Sequence, residues 1–264
     1  MNNNSNNSNN SNNLKNSENS DDALAENPPF KEIILALETG VEGGSISLFR
    51  QGEEIDFWVG SGTVSRSEDI LEEMNEILLR NDTEKKNIGR VVFSRGPGSY
   101  TGLRIGASIA KGLSKSLNCE LSACAVLRAL AINETENVVA AVPFGGRQVC
   151  WRFFQGVSGD DSTGETETFV SELRLFAGYL NRLVFKPNHK SKRKKLILHD
   201  CLYKKFAEND LLESTEGGDE NISVINVGNN LARFIAEQSF RDGRSETVND
   251  SRLIYPTTFE NRDL

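Results

Sequence analysis

Histidine is nearly absent from these 264 residues: His189 and His199 are the only two. Ten positions apart, they cannot share one helical face, so a helical His pair for a metal is not available. They read as a surface-loop residue and a strand-end residue on either side of a basic run. Cysteine is scarce as well. Cys119, Cys124, Cys150 and Cys201 show no paired close spacing, which argues against a zinc or disulfide framework and for free thiols in a reducing compartment. Thirty basic residues stand against 38 acidic ones, a formal charge of -8, and aromatics make up 8%. That balance argues against a general nucleic-acid binder or a stand-alone nucleic-acid module. No stretch is long and apolar enough to span a membrane, and the first residues lack the basic start and apolar run of a secretory signal. A cytoplasmic location is the expectation. There is no Gly-Lys-Ser/Thr phosphate loop. Ser99 follows a glycine, but the surrounding pattern is not a nucleophile elbow and no histidine is placed to pair with it. No catalytic residue and no metal ligand set is assigned.

What is present divides the chain in three. Residues 1–20 hold eleven Asn and five Ser, so 1–29 reads as a disordered tail with nothing to bury. Residues 30–130 read as a first lobe. Strands at 33–37, 45–49 and 55–59 suggest an antiparallel meander, followed by a helix at 67–80, a strand at 91–94, a glycine-rich helix at 101–117, a strand at 121–126 and a helix at 127–132. Residues 131–264 read as a second, degenerate lobe. It has strands at 138–142, 149–154, 196–199 and 222–227, and helices at 170–185, 202–212 and 230–240. Three strands followed by alternating helix and strand is the ribonuclease-H-like order of actin and the sugar kinases. The expected fold is therefore α/β, with two such lobes, mixed sheets and flanking helices.

The stretch GPGSYTGLRIG (96–106) is the most informative. Gly96, Pro97 and Gly98 form a turn, and Ser99 or Thr101 can cap the helix behind it, leaving free N–H groups suited to an anion. In that helix Arg104, Ser108, Lys111 and Lys115 form one narrow polar stripe, and nearly everything else is apolar or small. Gly102, Gly106 and Gly112 each cost roughly 1 kcal/mol against Ala in a helix interior, so another backbone is expected to approach closely. That backbone belongs either to this chain, as for an internal helix, or to a partner; the pattern supports both equally. In the preceding helix a Ser65-to-Glu68 capping box leads into an apolar face of Ile70, Leu71, Met74, Ile77 and Leu78. Glu68, Asp69, Glu72, Glu73 and Glu76 crowd the other face.

Four segments together resemble the TsaB (YeaZ-like) family, accessory proteins in threonylcarbamoyl modification of tRNA. They are IILALETGVEGGSISLF (33–49), SRSEDILEEMNEILLRND (65–82), RVVFSRGPGSYTGLRIGASIAKGL (90–113) and CELSACAVLRALA (119–131). The resemblance covers most of 33–131, is loose in the second half and absent from the first thirty residues. The family usually carries Asp where this chain has Glu38 and His where it has Arg66.

The resemblance implies a non-catalytic subunit that binds and activates a catalytic TsaD-like paralogue, which transfers a threonylcarbamoyl group to the tRNA adenosine next to the anticodon. The catalytic paralogue binds its metal through two His four apart, which this chain lacks. The implied partner-binding residues are Ile70, Met74, Ile77, Leu103, Gly106, Ala110 and Leu113. Glu38, Thr39, Gly98 and Ser99 are candidates for a nucleotide or phosphate contact, although a solvated turn residue is the first reading of Glu38. No cofactor is expected on this chain alone; ATP or ADP is expected at the complex interface. A TsaE-like ATPase subunit, a second copy of this chain, and tRNA through the complex are further expected partners, and no membrane is. The basic run Lys186, Lys190, Lys192, Arg193, Lys194 and Lys195 reads as a solvated loop first and a phosphate-backbone contact second. The competing reading is an independent enzyme of the same superfold, a small-molecule kinase or metallopeptidase-like hydrolase.

Overall fold

Apolar residues at every position of a strand, rather than at alternate ones, signal a sheet covered on both faces, and the first strand shows it. In β1 (Ile33–Glu38) every residue from Ile34 to Glu38 is buried. A computed structural model describes residues 33–61, 67–154, 168–180, 194–209, 211, 222–243 and 257–258. The Asn-rich tail, Ser65, Arg66, Lys186, His189, Lys190, Lys192 and Arg193 lie outside the described residues.

The first sheet holds β1, β2 (Ser45–Arg50), β3 (Glu53–Val59), β4 (Ile88–Ser94) and β5 (Glu120–Cys124), in spatial order β3-β2-β1-β4-β5. The β1–β2 and β2–β3 pairs are antiparallel, and β1–β4 and β4–β5 are parallel. The second holds β6 (Asn137–Pro143), β7 (Gln148–Phe154), β8 (Phe169–Glu172), β9 (Lys194–Leu198), β10 (Ile222–Asn226) and the short β11 (Thr257–Thr258). Its order, β10-β9-β6-β7-β8-β11, repeats the first sheet's plan strand for strand with one edge strand added. The directions match too: β6–β7 and β7–β8 are antiparallel, β6–β9 and β9–β10 parallel. The expected α/β architecture is the one observed.

The helices are α1 (Ser67–Arg80), α2 (Tyr100–Leu117), α3 (Val126–Ala131), α4 (Leu173–Tyr179), α5 (Asp200–Glu208) and α6 (Leu231–Arg241), with a 3-10 turn at Lys85–Asn87. Strand periodicity sends alternate residues to opposite layers. Leu35 and Leu37 pack with Ile70, Met74, Ile77 and Ala110 of α1 and α2. Ile34 and Ala36 face the other way, into a core with α3 and α6. The second sheet does the same: Val139 and Ala141 meet Phe176 of α4 and Phe206 of α5, while Val138, Ala140 and Val142 enter the core of Ile34 and Ala36.

That shared core is built by an exchange of helices. α3 follows the last strand of the first sheet but packs on β6 and β7 of the second. α6 follows β10 of the second sheet but packs on β1, β2, β4 and β5 of the first. Both ends of α6 are fastened there. At its start the Ala232 amide donates to Ser45 Oγ at 2.9 Å. Near its end Arg90, buried on β4, donates to the Ser239 carbonyl and at 3.1 Å to Ser239 Oγ, while also holding Glu120 at 2.8 Å.

Two local expectations need correction. Residues 170–185 do not form one helix: Val170 and Ser171 belong to β8, and α4 begins at Leu173. The reason is cross-strand pairing. Trp151 stacks 4.8 Å from Phe169, and its indole N–H donates to Ser171 Oγ at 3.1 Å. Lys194 and Lys195 lie in β9, not in a loop, and the Lys195 ammonium pairs with Glu134.

Ile235 of α6 is fully buried between the sheets. Ile235→Ala is expected to cost about 2–5 kcal/mol. Thermal melting should show the loss in a single transition, because α6 packs on α3 within a core that both sheets enter; a separate early melt of one lobe would contradict the shared core.

Candidate functional site

Glycines at 98, 102 and 106 have a specific neighbour, the turn after β1. A Cβ at Gly102 would meet the Thr39 carbonyl oxygen at 2.0 Å, and one at Gly98 would meet Gly40 backbone at 2.7 Å. At Gly106 it would meet Thr39 Oγ1 at 2.3 Å. The close approach read from the sequence is thus made by this chain's own β1 turn. Hydrogen bonds complete it. Thr39 Oγ1 donates to the Gly102 carbonyl at 2.7 Å, and the Ser99 amide donates to the Gly40 carbonyl at 2.6 Å. Ser99 caps α2, its side chain accepting from the Gly102 amide at 3.4 Å. Gly112, by contrast, is exposed and a Cβ there would meet nothing.

Glu38 lies under this knot, 1% exposed. Its carboxylate accepts from the Gly40 amide at 2.8 Å and the Val41 amide at 3.2 Å. Burial pushes its pKa up to about 7, and the amide bonds offset only part of that. Glu38, Thr39, Gly98 and Ser99 are brought together as the motif suggested. The first three are buried, and the polar atoms named here are engaged within the chain. What these contacts form is a turn lock, and Glu38 is buried rather than the solvated turn residue of its first reading. Ser99 remains exposed.

The residues expected to bind a partner are placed mostly inside the lobe. Ile70, Met74, Ile77, Leu103, Gly106 and Ala110 are buried in the first lobe's own packing, and Leu113 is half-buried. Of these, only Leu113 keeps part of its surface exposed. The outward surface is made by their neighbours. On α1, Leu71 and Leu79 are 44% and 64% exposed, so Leu71 does not belong to the apolar inner face. On α2, Tyr100, Thr101, Arg104 and Ser108 with half-buried Ile105 and Ile109 line a groove of about 360 Å³. Arg104 lies over the Tyr100 ring at 4.1 Å, a cation–π contact that holds the groove's rim. Sequence reasoning found the polar stripe through Arg104 and Ser108 but missed Ile105 and Ile109 beside it. The signal was there: at 100° per residue these isoleucines lie between the polar stripe and the glycine face.

His199 follows β9 and caps α5, its Nδ1 accepting from the Cys201 amide at 3.2 Å. Burial lowers its pKa to about 4, leaving it neutral. It lines a cavity of about 390 Å³ with Glu42 and Ser61 of the first lobe and Cys201 and Lys205 of the second. Among the described residues no group of three or more His, Cys, Asp or Glu is placed to hold a metal ion, and no helix is long and apolar enough to cross a membrane.

Two sheets on one ribonuclease-H-like plan, joined by a shared core, make a two-lobed α/β fold, and the glycine-rich helix is locked to its first turn. Comparison with known proteins narrows this. The family model of TsaD, tRNA N6-adenosine threonylcarbamoyltransferase, matches residues 64–172. The tRNA threonylcarbamoyladenosine biosynthesis protein TsaB of Haemophilus influenzae is 33% identical over 114 residues, 41% of this chain and 48% of the relative. TsaB of Escherichia coli is 29% identical over 127 residues, 46% and 54% of the two chains. YeaZ from Pseudomonas aeruginosa has the same fold, with a TM-score of 0.56 at 17% identity over 85% of this chain and 99% of that one. Over its first half the chain is thus similar in sequence to TsaB proteins, and in fold to YeaZ. The chain spans about half the length of the curated relatives it matches.

Two measurements check the locked turn. Gly102→Ala should lower stability by about 1–3 kcal/mol through backbone collision, whereas Gly112→Ala should raise it by up to about 1 kcal/mol through helix propensity. Denaturant melts of both would reverse this order if α2 were not pressed on Thr39. The second concerns pH. Glu38 has a folded pKa of about 7 against 4.5 unfolded, so the folded state holds the proton more tightly. Its contribution is full below pH 4.5 and is lost as pH rises to 7, a fall of about 3 kcal/mol at most. Relative to Glu38→Gln, the wild-type chain should therefore lose stability across that window and no further above it.

Proposed function

We propose that this chain acts in tRNA threonylcarbamoyladenosine biosynthesis as a non-catalytic subunit. In this reading it docks on a TsaD-like threonylcarbamoyltransferase through the outward faces of α1 and α2. The observation that carries it is the α2 groove. Ile105 and Ile109 offer apolar surface, Tyr100 and Arg104 rim it, and Leu71 and Leu79 add exposed apolar area on the neighbouring helix. Apolar side chains with an aromatic and an arginine are the usual composition of an interface centre. The names of the curated relatives supply the pathway.

The catalytic groups come from the partner, and ATP or ADP binds at the junction of the complex. The sealing of Glu38 and Thr39 inside the first lobe supports that division. Contact with tRNA is made mainly through the assembled complex, a TsaE-like ATPase is the further subunit, and a second copy of this chain competes for the same face. Location in the cytoplasm follows from this reading.

Arg104 is exposed and has no role in the core, so Arg104→Glu should leave the melting temperature unchanged. Its affinity for the cognate TsaD-like protein, measured by titration of the purified pair, should fall at least tenfold, about 1.4 kcal/mol. Undiminished binding by that variant, or no binding by the wild-type chain, would refute the docking face.

A further inference from the structure

Arg147, Arg174 and Lys205 come from three separate elements and line one cavity of about 550 Å³, with Gly146, Glu172 and Asn209. Sheet register brings the first two together. β7 and β8 pair Gln148 with Glu172, and the Leu173 amide donates to the Arg147 carbonyl at 3.2 Å. Arg147 and Arg174 therefore stand just beyond adjacent strand ends. Lys205 reaches the same cavity from the middle of α5. The β6–β7 turn forms part of the wall. Gly145 and Gly146 have φ of 59° and 54°, and a Cβ at Gly146 would meet open space. The backbone is thus bare of side chain where it borders the cavity.

Arg80, Arg90 and Arg233 are each paired with an acid. Among the described residues Arg147 and Arg174 have neither an ion pair nor a side-chain hydrogen bond. Among the described lining residues one acid, Glu172, stands with three cations, although acids outnumber bases in the whole sequence. The neighbouring cavity around His199 also includes Lys205 but carries Glu42, Asp200 and Glu208 against Lys204 and Lys205. Of these two cavities, the one at Arg147 carries the excess positive charge among its described residues. Like charges gathered round one space repel, and an anion between them relieves that repulsion. Guanidinium forks match phosphate oxygens two at a time, and an ammonium adds a point charge.

We infer that the cavity formed by Arg147, Arg174 and Lys205 binds the phosphate groups of a small phosphorylated molecule. The volume falls within the range of small-molecule sites. A net charge of -8 works against holding a long polyanion such as RNA at the same place. Neither α1 nor α2 contributes a residue, so the inference stands apart from the docking face.

Calorimetric titration of the full chain at low salt tests this, with inorganic pyrophosphate, ADP and a single-stranded RNA oligonucleotide as separate probes. Pyrophosphate is expected to saturate at one site per chain. ADP saturating more tightly would identify a nucleotide as the source of the phosphates; equal binding would identify the free anion. The double variant Arg147→Ala, Arg174→Ala should weaken either ligand at least tenfold. Both side chains are exposed, so its melting temperature should match wild type. The Arg147→Lys, Arg174→Lys variant should fall between the two, since it keeps charge and loses the forks. Arg241→Ala, an exposed change on α6, should have no effect. Failure of pyrophosphate to saturate, binding of RNA alone, or a double variant that binds like wild type would each overturn the inference.

Discussion

Everything in this fold depends on one packing exchange. The helix that closes each lobe lies on the other lobe's sheet: α3 on β6 and β7, α6 on the sheet of β1, β2, β4 and β5. Ile34 and Ala36 from one sheet and Val138 and Ala140 from the other therefore line a common core. Neither sheet has an inner face that could be dry without the other lobe's helix. The polar anchors serve the same end. Arg90 is a buried charge, which is tolerated because Glu120 and the Ser239 carbonyl and hydroxyl satisfy it.

With the centre fixed, the outer layers are free to differ. The outer face of the first sheet carries α1 and α2, and there the chain departs most from a plain helix-on-sheet layer. Three small residues bring α2 onto the β1 turn, and Glu38 fills the space beneath. The result turns Ile105 and Ile109 toward the flank and Arg104 outward. The outer face of the second sheet carries the aromatic cluster of Trp151, Phe176 and Phe206. The cationic cavity opens at the edge of that layer. Similar sheets thus support two different surfaces, one apolar and rimmed by an aromatic, the other charged.

Much of the architecture was legible in the sequence because buried strands announce themselves. Runs such as Ile33–Leu37 and Val138–Val142 are apolar throughout, and the order of strands and helices then limits the topology. β8 was not legible. Four residues running straight into a helix have no periodicity of their own, and pairing with β7 on one side and β11 on the other makes Val170 extended. The direction of α2 was not legible either. Gly102, Gly106 and Ala110 permit close approach by any backbone, and nothing local says whose. The answer lies 63 residues earlier, at Thr39. The Arg147 cavity has the same origin: its two arginines are neighbours through sheet register, which no spacing rule records.

The helix exchange also bears on synthesis. A chain made from its N-terminus completes β1 to β5 long before α6 is translated, because α6 is residues 231–241. During that interval Ile34, Ala36, Phe49 and Val92 have no cover from the helix that finally shields them. Nascent first lobes are therefore the sticky species, prone to pairing with one another or to capture by chaperones while the ribosome works through the second half. The final helix acts as the closing step of assembly, so a ribosome that stalls before Leu231 releases an apolar sheet face rather than a finished first lobe.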